Sequence, residues 1–271
     1  LSSVLCAPLG DARSPRGIFY LDSMSGLVDF EEKHLEVADV LAGIAGVTLE
    51  AEAARKAMEE KRNLEAQLAA AWEIQSGILP PEEPTTPEGI AAAGRLVPCL
   101  GVGGDLYDFF TLPDGSYGVM VADVAGKGLA AALMASSLHA RWKAVQGAKL
   151  PLDQWLPNLN DALAATLPGN RFVTLAFAVV EPSRGRLHYF SAGQESCALL
   201  GGETRWLMGT GPVLGMFEGA DYDQEVHEFA PGDLIALFSD GITEQKDVQG
   251  EEFGAKKVQG AISRGADARS C

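Results

Sequence analysis

The sequence predicts an α+β fold built from layers of sheets and helices. Its strand-like apolar runs cluster and do not alternate one to one with helical stretches, which favours layers over a doubly wound parallel sheet. Of 271 residues, 47% are hydrophobic and 21% are charged, a balance typical of a globular protein with a sizeable core. No run approaches the roughly 18 consecutive apolar residues of a membrane span. We therefore expect a soluble, layered protein.

The charge balance narrows the function classes. With 21 basic and 37 acidic residues, the formal net charge is −16. Such a chain repels phosphate backbones and anionic lipid, so neither nucleic acid nor a membrane is expected as a partner. Cys6, Cys99, Cys197 and Cys271 show no CxxC spacing, and the four histidines form no zinc pattern, which indicates isolated reduced thiols. We expect a cytoplasmic protein that is a fragment of, or is processed from, a longer chain, since it starts at Leu1 without a signal peptide.

The first 48 residues resemble the end of a domain. Two apolar runs, 3–9 and 17–22, flank a turn-rich segment at 10–16 and predict two paired strands. Helical spacing of apolar residues predicts a helix after Phe30. About 48 residues are few for an independent domain.

Residues 49–79 predict a long helix, because they are rich in Ala, Glu and Lys and lack Gly and Pro until Gly77. One heptad register aligns Ala57, Lys61, Leu64, Leu68, Ala71, Gln75 and Ile78. Lys61 and Gln75 are poor residues for such a seam, so a two-stranded coiled coil and a plain linker helix both remain open.

Four prolines within 80–89 mark a boundary before a third region. The strand-like runs beyond it are 90–98, 106–112, 117–123, 172–181, 186–192, 196–200 and 233–238. The helix-like runs are 128–146, 153–166 and 254–264. Two glycine-rich segments here fail the dinucleotide and phosphate-loop patterns, so a nucleotide site is not expected.

Three aspartates stand beside glycine or within three residues of one at the ends of predicted strands: Asp105, Asp123 and Asp240. Carboxylates at neighbouring strand ends can converge, and a divalent cation relieves their repulsion. Hard oxygen ligands favour Mg²⁺ or Mn²⁺ over zinc. For any one of these sites taken alone, ordinary turn chemistry is the favoured explanation.

The sequence around these aspartates resembles that of the SpoIIE/RsbU-type phosphatases, which are metal-dependent (PPM, type 2C-like) serine/threonine phosphatases. The motifs that carry the resemblance are Gly-Gly-Asp-Leu-Tyr-Asp-Phe-Phe (103–110), Ala-Asp-Val-Ala-Gly-Lys-Gly-Leu-Ala-Ala-Ala-Leu-Met (122–134) and Phe-Ser-Asp-Gly-Ile-Thr-Glu (238–244). Segments 74–80, 172–175 and 252–254 also match, so the resemblance covers about residues 72–264. Residues 1–48 look like the last strands and helix of a GAF sensor domain.

The resemblance implies a layered α-β-β-α sandwich, preceded by a long linker helix and a partial GAF α/β unit. It implies two Mn²⁺ or Mg²⁺ ions, with Asp123 bridging them and the Val124 carbonyl assisting. Asp105 would lie at or near the first ion and Asp240 would bind the second. A water activated by the ions would then hydrolyse phosphoserine or phosphothreonine, and these three aspartates are the expected catalytic residues.

Further expectations follow from the same resemblance. Gly104, Asp108, Gly126, Gly241 and Glu244 are expected as loop formers or hydrogen-bond partners of ligands, although capping or solvated positions are an alternative reading. The expected substrate is a phosphorylated STAS-type anti-sigma-factor antagonist in bacterial partner switching.

The expected domains are 1–48 as the C-terminal part of a GAF-like sensor, 49–79 as a signalling helix that forms a homodimer, and 80–271 as a SpoIIE-type phosphatase domain that is C-terminally incomplete.

The sequence departs from the family at two places. Where the family commonly has Asn-Ala-Gly-His-Asn-Pro, this chain has Ser-Ala-Gly-Gln-Glu-Ser at 191–196. The chain also stops at Cys271, before the family's late Asp-Asp pair. We therefore expect weak binding of the second ion, and a phosphatase-fold regulatory module that binds its partner without turnover is the alternative function.

Overall fold

The computed structural model describes residues 3–11, 13–24, 29–98, 101–169 and 171–263 of the chain. It divides into two compact units, Leu1–Gln67 and Leu68–Cys271. The strands are β1 (Ser3–Leu9), β2 (Gly17–Ser23), β3 (Leu106–Thr111), β4 (Tyr117–Val124), β5 (Val173–Glu181), β6 (Arg186–Ala192), β7 (Ser196–Leu200), β8 (Glu203–Leu207), β9 (Glu225–Glu228) and β10 (Leu234–Leu237). The α-helices are α1 (Glu32–Ser76), α2 (Leu129–Gly147), α3 (Trp155–Ala164), α4 (Asp240–Thr243) and α5 (Gly254–Ile262).

The first unit is a hairpin packed on a helix. Strands β1 and β2 pair antiparallel, as the two apolar runs predict. Leu5 and Ala7 of β1 are buried against Ala38 and Ala42 of α1. Helix α1 continues unbroken to Ser76, so the two predicted helical stretches are one helix.

The second unit contains two antiparallel sheets. The larger sheet has the strand order β3-β4-β5-β6-β9, and the smaller one has the order β10-β7-β8. Side chains alternate between the two faces of a strand. In β5, Phe177 therefore faces the helices α2 and α3, whereas Ala176 and Ala178 face the smaller sheet. On the far side of the smaller sheet, Cys197 is buried against α5.

These contacts stack the layers in the order α2/α3, larger sheet, smaller sheet, α5, so the predicted α-β-β-α sandwich is confirmed. Aromatic rings fill the space between the helices and the larger sheet. Trp142, Trp155, Phe177 and Phe190 are all buried, and each ring lies 4.6–5.6 Å from at least one other by centroid distance. Aromatic pairs at such distances add to the stabilisation from burial alone.

One strand prediction is wrong. Segment 90–98 is not a strand. The Gly94 N–H donates to the Glu82 carbonyl and not to a sheet partner. A Cβ at Gly94 would lie 2.6 Å from the Tyr107 ring, so the segment is shaped by side-chain packing against β3.

Neither β8 nor β9 was predicted from the sequence. Each lies at the edge of its sheet. Among the described helices, none is both long and apolar enough to cross a bilayer.

Candidate functional site

The end of β4 carries Asp123 between two paired strands. Strand β4 pairs with β3 on one side and with β5 on the other, where Asp123 faces Thr174 in register. Its neighbours Ala122 and Val124 are buried on the helix side. Because side chains alternate, Asp123 projects from the opposite face, where it is half-buried.

The loop before β3 brings Asp105 to the same place. The Val124 N–H donates to the Gly104 carbonyl at 3.3 Å, which fixes the loop against the end of β4. A Cβ at Gly104 would lie 2.5 Å from the Val124 carbonyl oxygen and 2.9 Å from Asp123 Oδ1. Only glycine allows this close approach.

The carboxyl groups of Asp105 and Asp123 lie close enough to influence each other's titration, and they can share a hydrogen bond only while one of them is protonated. Burial raises the pKa of both groups above the ordinary value of an aspartate. With the charge of Asp105 beside it, the pKa of Asp123 rises to about 7. The two carboxylates therefore repel each other in a partly desolvated position.

The smaller sheet contributes the third aspartate. Directly after β10, Ser239 Oγ donates to Asp105 Oδ2 at 3.0 Å. Asp240 begins the short helix α4 and is exposed. Its charge raises the pKa of Asp105 and of Asp123, although burial is the larger cause for both. The structure thus brings the three predicted aspartates to one edge of the sandwich.

This arrangement fits a hard divalent cation. Its donors are carboxylate oxygens and the nearby Val124 carbonyl, which are the ligand types that Mg²⁺ and Mn²⁺ prefer. A cation would relieve the repulsion between Asp105 and Asp123. Within the described ranges, no three His, Cys, Asp or Glu side chains already surround one point closely enough to hold a metal.

Asp108 does not join the other aspartates. It is 2% exposed and faces α2, where its Oδ2 accepts hydrogen bonds from Trp142 Nε1 at 3.0 Å, Lys143 Nζ at 2.6 Å and Gln146 Nε2 at 3.1 Å. It lies on the face of β3 that carries Leu106 and packs toward the helices. Its role in the structure is to tie α2 to the larger sheet.

The remaining predicted positions lie in the loops around the aspartates. Gly126 has a φ of 121°, and Arg171 lies against it while donating from Nη1 to the Ala125 carbonyl at 2.7 Å. Gly241 and Glu244 are exposed around α4, and the Glu244 N–H donates to the Asp240 carbonyl at 2.8 Å.

Sequence reasoning missed three side chains that contact these loops. Gln75 contacts Gly103, Ser239 contacts Asp105, and Gln194 contacts Phe238. One signal was available for Gln75, because it is a polar residue at a position where the helix pattern calls for an apolar one. Ser239 lies inside the motif at 238–244, next to Asp240. Gln194 could be noticed only because it departs from the family sequence.

Comparisons with known proteins agree with this geometry. The sequence model of the family described as "Stage II sporulation protein E (SpoIIE)" matches residues 113–270. Phosphoserine phosphatase RsbU of Bacillus subtilis (strain 168) is 28% identical over 187 residues, which are 68% of this chain and 55% of RsbU. Protein IcfG of Synechocystis sp. is 25% identical over 203 residues, which are 64% of this chain and 32% of that protein. The chain thus spans between about a third and about half of the length of these curated relatives.

Solved structures show the same fold. The SiaA-PP2C domain of Pseudomonas aeruginosa superposes with a TM-score of 0.65 at 22% identity, covering 78% of this chain and 85% of that one. The PP2C phosphatase domain of SpoIIE from Bacillus subtilis superposes with a TM-score of 0.54 at 17% identity, covering 62% of this chain and 48% of that one. Since the family match covers more than half of the chain, including every strand from β4 to β10, the chain belongs to the family described as Stage II sporulation protein E (SpoIIE).

Proposed function

We propose that this chain is the catalytic part of a metal-dependent protein serine/threonine phosphatase. The observation that carries the proposal is the pair of half-buried carboxylates, Asp105 and Asp123, held against each other beside the Val124 carbonyl. Uncompensated carboxylates in such a position are costly, and a cation site explains why the fold keeps them. The reaction is the hydrolysis of phosphoserine or phosphothreonine.

Asp105, Asp123 and the Val124 carbonyl are the residues that would hold one cation, and Asp123 and Asp240 would hold a second. Mn²⁺ or Mg²⁺ bound there supplies Lewis acidity, both to lower the pKa of a water and to neutralise phosphoryl oxygens. The chain's own residues prepare the site. Ser239 orients the Asp105 carboxylate, and Gly104 leaves the space in which the Val124 carbonyl and Asp123 come together.

The proposed substrate is a phosphorylated STAS-type protein of a bacterial partner-switching system in the cytoplasm. The names of two relatives, phosphoserine phosphatases RsbU and RsbP of Bacillus subtilis, support phosphoserine as the group that is hydrolysed, while the STAS-type protein follows from the family resemblance alone. The acidic chain also suits a protein substrate better than a nucleic acid.

We also propose that residues 1–48 are the C-terminal part of a GAF-like sensor, 49–79 a signalling helix and 80–271 the phosphatase domain, with homodimerisation through 49–79. In α1, Val40, Ile44, Val47 and Met58 are each more than half exposed. Their positions follow the alternating spacing of three and four residues that a two-stranded coiled coil uses. This exposed stripe supports a helix pair that starts earlier than residue 49.

The test is hydrolysis of p-nitrophenyl phosphate and of a phosphoserine peptide as Mn²⁺ is titrated, with Asp123→Ala as the control. We expect saturable, metal-dependent turnover that Asp123→Ala removes by more than about 100-fold, because losing only an outer partner of a ligand already costs about 10- to 100-fold. Turnover that persists in EDTA would contradict the mechanism.

The alternative function, a regulatory module that binds its partner without turnover, is favoured by Gln194, which stands where the family commonly has histidine. A folded sample that binds a phosphorylated STAS protein, yet releases no phosphate at saturating Mn²⁺, would support that alternative. Release of phosphate from the same protein that rises with Mn²⁺ concentration would instead exclude that alternative.

A further inference from the structure

Gln75, near the end of α1, forms two hydrogen bonds with the backbone of the loop that carries Asp105. The side chain is 2% exposed. Its Nε2 donates to the Gly103 carbonyl at 2.7 Å, and its Oε1 accepts from the Gly103 N–H at 3.3 Å. The amide therefore satisfies both polar groups of one residue, two positions before Asp105.

Gln194 makes the corresponding contact on the other side of the site. It is 6% exposed, and its Nε2 donates to the Phe238 carbonyl, two positions before Asp240. Its own backbone is fixed, because its N–H donates to Ser191 Oγ at 3.0 Å and its carbonyl accepts from the Tyr189 hydroxyl at 3.2 Å. Gln194 is thus a rigid point from which the loop after β10 is held.

Both glutamines form hydrogen bonds with backbone groups that lie outside the β-sheets. Gly103 precedes β3 and Phe238 follows β10, so both backbone groups lie beyond the ends of the ladders. A buried peptide group needs a partner, and a glutamine amide offers the same donor and acceptor as a peptide. The two held loops then meet, since Ser239 Oγ donates to Asp105 Oδ2.

We infer that Gln75 and Gln194 are positioning residues that set the separation between the Asp105 and Asp240 carboxylates and, through it, the affinity of the site for divalent cations. The inference rests on the proposed function, because it assumes that these carboxylates bind cations. It also assigns a role to the residue at the departure from the family, because Gln194 donates to the Phe238 carbonyl and so holds the loop after β10.

The test compares Gln75→Met and Gln194→Met, which keep the volume but lose the hydrogen bonds, with wild type. Mn²⁺ binding is measured by calorimetry. Amide hydrogen exchange of residues 101–105 and 237–241 is measured on the metal-free protein. Gln194→His is the conservative variant, because an imidazole N–H can replace the amide donor. Asn160→Ala is the matched control, since Asn160 is a buried amide that bonds the Phe217 carbonyl at 2.8 Å and the Gly215 N–H at 2.9 Å, away from the aspartates.

We expect each methionine variant to bind Mn²⁺ about 10- to 100-fold more weakly, the usual cost of losing an outer partner of a metal ligand. The loop that has lost its glutamine should exchange faster, while Gln194→His keeps wild-type affinity. Asn160→Ala should lower the melting temperature without changing Mn²⁺ affinity, which separates positioning from general stability.

Folded methionine variants with wild-type Mn²⁺ affinity and wild-type exchange would overturn the inference. If a methionine variant does not fold, Gln75→Asn and Gln194→Asn give the comparison, because each keeps a neutral amide on a side chain that is one methylene shorter and no longer reaches the loop. A wild-type protein that binds no Mn²⁺ would instead overturn the proposed function, and the exchange measurement would still decide whether the glutamines hold the loops.

Discussion

The two sheets fix their aspartates in different ways. Asp123 belongs to β4, which is paired on both sides and backed by buried aromatic rings. Asp240 follows β10, which pairs only with β7 among the described strands and whose four residues are all partly exposed. One half of the site is therefore held by a packed sheet, and the other half follows a partly exposed strand, where hydrogen bonds from Ser239 and Gln194 add to the packing of Phe238.

The site is therefore rigid on the side of the larger sheet and adjustable on the side of the smaller sheet. A carboxylate within a packed sheet keeps its position unless the core itself changes. A carboxylate on a loop held by two or three hydrogen bonds moves when any one of them is lost. We expect the larger sheet to control stability and the loops beside it to control cation affinity.

The largest expected effect is on the core of the larger sheet. Phe177→Ala removes a fully buried ring and should lower the free energy of unfolding by about 3–5 kcal/mol, measured by urea denaturation. Ile235→Ala in β10 is the counterpart, with an expected loss of about 1–2 kcal/mol because its side chain is already partly in water. Equal losses at the two positions would remove the distinction between the sheets.

The second prediction concerns the contact between the Asp105 loop and β4. In Gly104→Ala, the new Cβ must displace the Val124 carbonyl or Asp123, so Mn²⁺ should bind about 10- to 100-fold more weakly, or about 1.4–2.8 kcal/mol. The control is Gly103→Ala, whose Cβ would meet no atom closer than 3.8 Å. Calorimetric titration with Mn²⁺ measures both. Similar losses in the two variants would mean that flexibility of the loop, and not the close approach, limits affinity.

The smallest effect is expected from Tyr222, which packs in the core between the larger sheet and the helices. Its buried hydroxyl has no hydrogen-bond partner among the described residues. Burial, with a smaller contribution from the charge of Asp161, raises the pKa of Tyr222 to about 12. The folded pKa exceeds the unfolded value of about 10, so the stability from this group is complete below pH 10 and is lost as the pH rises toward 12.

Tyr222→Phe should therefore raise the free energy of unfolding by about 1 kcal/mol at pH 8 and reduce its fall between pH 10 and 12. Urea denaturation across that pH range measures both effects. An unchanged alkaline slope would show that other groups govern it. Tyr117→Phe should behave alike, because burial also raises the pKa of Tyr117 to about 12.

Much of the fold could be predicted because its central strands are strongly patterned. Runs such as 186–192 and 196–200 match β6 and β7 residue for residue. Strands β8 and β9 contain charged residues and are short, so they exist only because β7 and β6 offer partners. Segment 90–98 has the apolar content of a strand, but it pairs with no strand, and its Gly94 N–H donates to the Glu82 carbonyl. No local sequence pattern reveals this.

The site was partly predictable for a related reason. Asp105, Asp123 and Asp240 stand in motifs whose order along the chain is informative by itself. Asp108 could have been separated from them, since it lies three residues from Asp105 and an odd spacing in a strand puts two side chains on opposite faces. Gln75 lies 28 residues before Gly103, so only the folded structure shows that they meet.

The tryptophans give the two halves of the molecule separate optical signals. Trp142 and Trp155 lie with ring centroids 5.4 Å apart between the helices and the larger sheet. Trp206 meets Phe238 edge-on at 5.7 Å in the smaller sheet, next to the loop that carries Asp240. With the other indoles replaced by phenylalanine, Trp206 becomes a local fluorophore whose emission follows that loop during a titration. The protein thus contains an intrinsic fluorophore, Trp206, at the adjustable side of the site.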